Sequence, residues 1–122
     1  MNESMSSRRY DWWRHEPASS LFLVLLTCTM PVKGYAEPPA AVHTATIEAM
    51  QFSPASLEIS VGDRVTWKNA DPFPHTATAV GQQFDSGIIA AGETWTWTSK
   101  RKGIYPYICT LHPGMKGTIT VK

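Results

Sequence analysis

Residues 103–122 read GIYPYICTLHPGMKGTITVK, two alternating runs separated by a loop that carries Cys109, His112 and Met115. The flanking runs, GIYPYIC and GTITVK, are rich in β-branched and aromatic residues, so each predicts a strand. In a strand Cys109 and His112 would face opposite ways, because side chains alternate with period two. A loop bounded by Pro113, Gly114 and Gly117 can instead aim all three side chains at one point. The triple alone leaves two readings open: a metal site, or a buried Cys followed by a surface His and Met. Pro106, inside the first run, predicts an edge strand or a bulge because it lacks the N–H a ladder needs.

The same pattern extends back towards Ala36, with no helical periodicity. HTATIEAMQF (residues 43–52) alternates as one strand up to the turn signal Ser53-Pro54. SLEISV (56–61) ends at Gly62-Asp63, which predicts a hairpin turn into RVTWKN (64–69). HTATAV (75–80) predicts a short strand, and ETWTWTS (93–99) sets Trp95 and Trp97 on one face with threonines on the other. Six or seven short strands with turn signals roughly every 8–12 residues predict an all-β sandwich or small barrel. A domain of this size buries a modest core, so Phe52, Trp67, Phe84, Trp95, Trp97 and Tyr107 are expected to supply much of it.

Residues 1–36 predict a secretory signal instead of part of that domain. A polar start with Arg8, Arg9 and Arg14 precedes the apolar run ASSLFLVLLTCTMPV (18–32), too short for the about 20 residues a bilayer-spanning helix needs. Gly34 and Ala36 then supply small residues at the −3 and −1 positions of a cleavage site after Ala36. The chain so defined, residues 37–122, carries seven cationic and seven anionic side chains. Zero net charge argues against docking through a large single-sign field and gives no electrostatic footprint for nucleic acid. With Cys28 in the leader, Cys109 stands alone in an exported domain, where it cannot form an internal disulfide. Metal ligation would explain a lone thiol there.

A fourth candidate ligand lies elsewhere. His75 stands in NADPFPHTATAV (69–80), a Pro-rich loop at the mouth of a strand, whereas His15 is in the leader and His43 begins the first strand. Two His, one Cys and a weak Met form the donor set of a mononuclear blue-copper site. Thiolate and thioether favour Cu(I), and imidazole serves both oxidation states. Four protein ligands leave no open position for substrate, which argues against an enzyme. A structural zinc site uses Cys, His or carboxylates, and Met would be out of place.

These residues resemble the cupredoxins, and within them the amicyanin and plastocyanin-like group. The resemblance is carried in order by MQFSPASLEISVGDRVTWKNAD, PHTAT, FDSGIIAAGETWTWT and GIYPYICTLHPGMKGTITV, and covers Val42 to Lys122. It implies a Greek-key β-sandwich of about seven to eight strands, with one copper ion at one end bound by His75, Cys109, His112 and Met115. The short Cys-x-x-His-x-x-Met spacing is similar to that of amicyanin. Two positions depart from the pattern. Relatives often place Asn after the first His to tie the ligand loops together; here Thr76 stands there, with a hydroxyl expected to do this less well. Amicyanins carry a bulky residue before the Met, where this chain has Gly114, so a less packed loop is expected.

The resemblance implies a small electron carrier cycling between Cu(I) and Cu(II), which meets redox proteins by weak transient docking as a monomer. An exported copper-storage or delivery protein is the alternative. His112 is expected to be the electron port, with Phe73, Pro74, Pro113 and Ile88 as an apolar rim. Pro113 has no N–H to offer the Cys109 sulfur. Lys100, Arg101 and Lys102 lie roughly 20 Å from the site along an extended strand, so they read as a solvated turn.

Overall fold

The computed structural model describes residues 29–122, and its folded unit spans Ala36–Lys122. The leader predicted over residues 1–36, with Cys28, lies mostly outside the described residues. Among the described residues eight strands form: β1 (Val42–Glu48), β2 (Gln51–Ser53), β3 (Ser56–Ile59), β4 (Arg64–Asn69), β5 (Thr78–Ala79), β6 (Thr94–Thr98), β7 (Gly103–Ile108) and β8 (Lys116–Val121). They make two four-stranded sheets, in the orders β2-β1-β4-β6 and β3-β8-β7-β5. Each sheet is mixed: β1 runs parallel to β4 and β3 parallel to β8, and the other pairs are antiparallel. The predicted all-β sandwich is present.

Alternation along the strands sends one face of each sheet inward. Ala45 and Ile47 from β1, Val65 and Trp67 from β4, Tyr105 and Tyr107 from β7, and Ile119 and Val121 from β8 are buried together. Trp67 is the centre of this core. Its ring centroid lies 5.3 Å from Phe84, 5.5 Å from Trp95 and 5.4 Å from Tyr107, the last edge-on. Such aromatic pairs add about 0.5–1.5 kcal/mol each beyond the area they bury. Trp95 and Trp97 pack on this cluster from one face of β6, half-buried, as the alternation predicts.

Tyr107 sits opposite Gly117 in the β7–β8 ladder, and a Cβ at Gly117 would overlap the Tyr107 ring. Glycine there is a matter of room, since no left-handed backbone is involved. Gly117→Ala is therefore expected to destabilise the protein by about 1–3 kcal/mol through overpacking, seen as a lower midpoint in urea unfolding.

Three local expectations are corrected. HTATIEAMQF is two strands, because the chain reverses at Ala49-Met50, both left-handed with φ of 50° and 59°. Asp71 holds this two-residue turn by accepting the N–H groups of Ala49 at 2.8 Å and Met50 at 3.0 Å. The turn at Gly62 does not join a hairpin: β3 bonds to β8 in one sheet, while β4 bonds to β1 and β6 in the other. Pro106 is neither on an edge strand nor in a bulge. Its carbonyl accepts Val80 N–H at 2.9 Å, so its nitrogen faces β5 just where that two-residue strand has ended.

At the Gly62 turn, Asp63 gathers the N–H groups of Ala41 and Ser60 and the His43 Nε2 atom, at 2.9, 3.0 and 2.9 Å. His43 is thereby engaged away from the other histidines. The Ser60 N–H first, then His43 and the Ala41 N–H, lower the Asp63 carboxyl from 3.8 to about 2. A carboxyl depressed on folding stabilises above its unfolded value and loses that contribution as pH falls through the folded one. The melting temperature of the metal-free protein should therefore drop between about pH 4 and pH 2. Asp63→Asn should flatten part of that drop in a thermal-melt series; an unchanged slope would remove Asp63 as a cause.

Candidate metal centre

Cys109 leaves the end of β7, and Met115 immediately precedes β8. Between them the loop closes on itself: Cys109 N–H donates to Met115 O at 3.2 Å, His112 N–H to Cys109 O at 3.3 Å, and Met115 N–H to His112 O at 2.9 Å. Pro113 and Gly114 form the turn at its tip, both exposed. These bonds bring side chains three residues apart to one side of the loop. The strands alone would not do so.

His75 arrives from the segment between β4 and β5. It forms a bridge with Ile89, with N–H···O distances of 3.2 and 2.8 Å. Asn69, fully buried at the end of β4, ties this segment by donating to Phe73 O at 2.7 Å and Ile89 O at 2.9 Å. Its own side-chain oxygen accepts the Asp71 N–H at 3.0 Å. Asp71 in turn accepts from His75 Nε2 at 2.9 Å, inside the protein. Because Nε2 carries that proton, Nδ1 keeps a free lone pair.

The donor atoms converge. One ligand atom each from His75, Cys109 and His112 lies within 4.8 Å of the others, with His75 and Cys109 buried and His112 half-buried. Both imidazole Nδ1 atoms stand 3.7 Å from Cys109 Sγ. A sulfur and a nitrogen bound about 2.3 and 2.0 Å from one ion, about 120° apart, would be separated by about 3.7 Å. The residues therefore fit a trigonal metal as they stand. Met115, buried, completes the loop beside them.

Thr76 does more than expected. Its N–H donates to Cys109 Sγ at 3.3 Å. Its hydroxyl oxygen accepts Thr110 N–H at 2.8 Å and lies 3.0 Å from Thr110 Oγ1 and 3.1 Å from Thr78 Oγ1, whose proton also has Asp85 Oδ1 as an acceptor at 3.0 Å. One small side chain thus ties the His75 segment to the Cys109 loop at two atoms of Thr110. Of the expected rim, Phe73, Pro74, Ile88 and Pro113 are exposed, and Leu111 joins them; Thr76 is buried.

Sequence reasoning missed Asp71, Asn69 and Thr110. For Asp71 a signal existed, a carboxylate four residues before a candidate ligand. Asn69 and Thr110 act through loop geometry that no spacing rule announces. Asp71 is held below the usual carboxylate range, first by the Met50 N–H and then by His75 and the Ala49 N–H, so it stays anionic against burial.

A two-sheet sandwich with one thiol and two imidazoles converging at one end defines a single-site metalloprotein of the cupredoxin class. The chain belongs to the copper-binding plastocyanin/azurin family, whose model matches residues 40–122. It is 31% identical over 91 residues to amicyanin-alpha of Methylorubrum extorquens, covering 70% of this chain and 76% of that one. It is 35% identical over 83 residues to plastocyanin A/B of Petroselinum crispum, covering 57% and 86%. Among solved structures, a purple cupredoxin from Nitrosopumilus maritimus matches with a TM-score of 0.61 and 32% identity, over 66% of this chain and 99% of that one.

Proposed function

We propose that the protein is an exported, monomeric electron carrier that holds one copper ion through His75, Cys109, His112 and Met115. The convergence of Cys109 Sγ with the Nδ1 atoms of His75 and His112 carries this conclusion. Bound copper supplies a one-electron couple between Cu(I) and Cu(II). The chain's task is to keep the donors in one arrangement for both states. Asp71 orients His75, and Thr76 fixes the two loops relative to each other.

The sulfur of Cys109 accepts the Thr76 N–H, and Pro113 has none to add. Fewer such bonds leave more charge on the thiolate, which favours the oxidised ion. His112 is the half-buried member of the set; exposed Leu111 and Pro113 flank it in the chain, and exposed Phe73 and Pro74 precede His75. That apolar surround suits brief docking of redox proteins, a cytochrome or dehydrogenase, with the His112 edge as the port. Four protein donors with no vacant position suit transfer over catalysis.

Titration of the purified protein with Cu(II) tests this. One equivalent should produce an intense visible thiolate-to-copper band and a reversible one-electron wave. A colourless protein after one equivalent would overturn the assignment.

A further inference from the structure

Two routes lead to the buried donors. Cys109 and His75 are fully buried, whereas His112 is half-buried and Met115 keeps a little exposure, so these two ligands mark the approaches from solvent. Leu111 and Pro113 on either side of His112, and Phe73 and Pro74 ahead of His75, are exposed and apolar, with no side-chain donor for a cation. On the Met115 side lies a surface cleft of about 270 Å³ between the β1–β2 turn and the ligand loop. Met50 and Met115 both line it; Met50 is 39% exposed and Met115 only 5%. Gly114 forms part of its wall, and a Cβ built there would meet nothing within 4 Å.

We propose that this cleft is the copper-loading route, in which the Met50 thioether first captures Cu(I) and passes it by way of Met115 to Cys109 and the two imidazoles. The inference rests on the copper assignment above and adds a second, transient site to it. Thioethers are soft and uncharged, so they select Cu(I) over the hard divalent ions that exceed it in supply. Lys116, exposed in the lining, repels a bare cation and favours copper arriving as an anionic Cu(I) complex, which then surrenders its ligands stepwise. The metal stays Cu(I) throughout; as its bond to Cys109 forms, the thiol proton leaves to solvent. Loading and docking would thus use different faces, and a protein docked at His112 would leave the loading cleft open.

The β1–β2 turn makes Met50 a clean target. Leucine at that position keeps the same left-handed backbone burden and the same N–H bond to Asp71, so the fold is retained. Purified apoprotein is mixed with the Cu(I)–bicinchoninate complex, and loss of the complex's colour is followed in a stopped-flow instrument. Met50→Leu should load at least tenfold more slowly, yet after oxidation show the visible spectrum and potential of the unmodified protein. Gly114→Phe, whose backbone accepts a side chain, should fill the cleft and slow loading as well. In a Cys109→Ala background, where His75, His112 and Met115 remain to hold it, Ag(I), a redox-inert soft ion, should bind at least tenfold more slowly after Met50→Leu.

Loading of Met50→Leu at the unmodified rate, with a normal visible band, would overturn the route and leave the copper site standing. Absence of the band in the unmodified protein would overturn both.

Discussion

Cys109→Ala is expected to abolish the visible absorption of the copper-loaded protein and its copper-dependent gain in stability. The band requires a thiolate bound to copper, and Cys109 is the one free cysteine among the described residues. A metal that binds only the folded state stabilises by mass action, by about 4 kcal/mol at a thousandfold excess over the dissociation constant. Removing the thiolate should reduce that increment nearly to zero in a melt with and without Cu(II). The metal-free protein should itself lose about 1–3 kcal/mol, because the buried Thr76 N–H loses its acceptor. Cys109→Ser separates the two effects. Its oxygen can take the Thr76 N–H but supplies no thiolate band, so the apoprotein should recover while the colour does not.

Asp71→Asn should weaken copper binding by about 10–100-fold, the usual consequence of removing the group that orients a ligating imidazole. The carboxylate accepts at all of its contacts: Ala49 N–H, Met50 N–H and His75 Nε2. An amide has one accepting end, so either the turn or His75 must face an N–H₂ group with its own N–H. Left-handed Ala and Met cost about 1–2 kcal/mol each, and Asp71 offsets this strain through two bonds. Competition against a chelator measures the affinity. A shifted potential or an altered visible band in the copper-loaded variant would show that His75 has been reoriented, beyond any loss of general stability. An unchanged affinity, band and potential would mean that His75 is set by its backbone bridge to Ile89 alone.

The strands that frame the site were legible because one face of each is buried, and burial writes a period of two into the sequence. TWTWT and GTITV could be placed for that reason, as could the run into Cys109. The reversal at Ala49-Met50 could not. It uses residues with no left-handed preference, held by a carboxylate more than twenty positions away. The Gly62 turn was found, but not where its strands go, since a turn residue reports local backbone and not the sheet each arm joins. Thr76 was underrated because a hydroxyl's worth depends on how many partners surround it.

The sequence by itself determined the donor types, their spacing in the loop, and the all-β character of the chain. These follow from side-chain chemistry and from periodicity, both local properties. Tertiary structure decided that His75, thirty-four residues before Cys109, has its Nδ1 3.7 Å from the sulfur. It also decided that Asp71 accepts the hydrogen bond from Nε2–H on the far side of that ring and that Thr76 ties the two loops. Hydrogen bonds between distant segments set these relations, and such bonds exist only once the two sheets have closed on Trp67 and placed both loops at the same end.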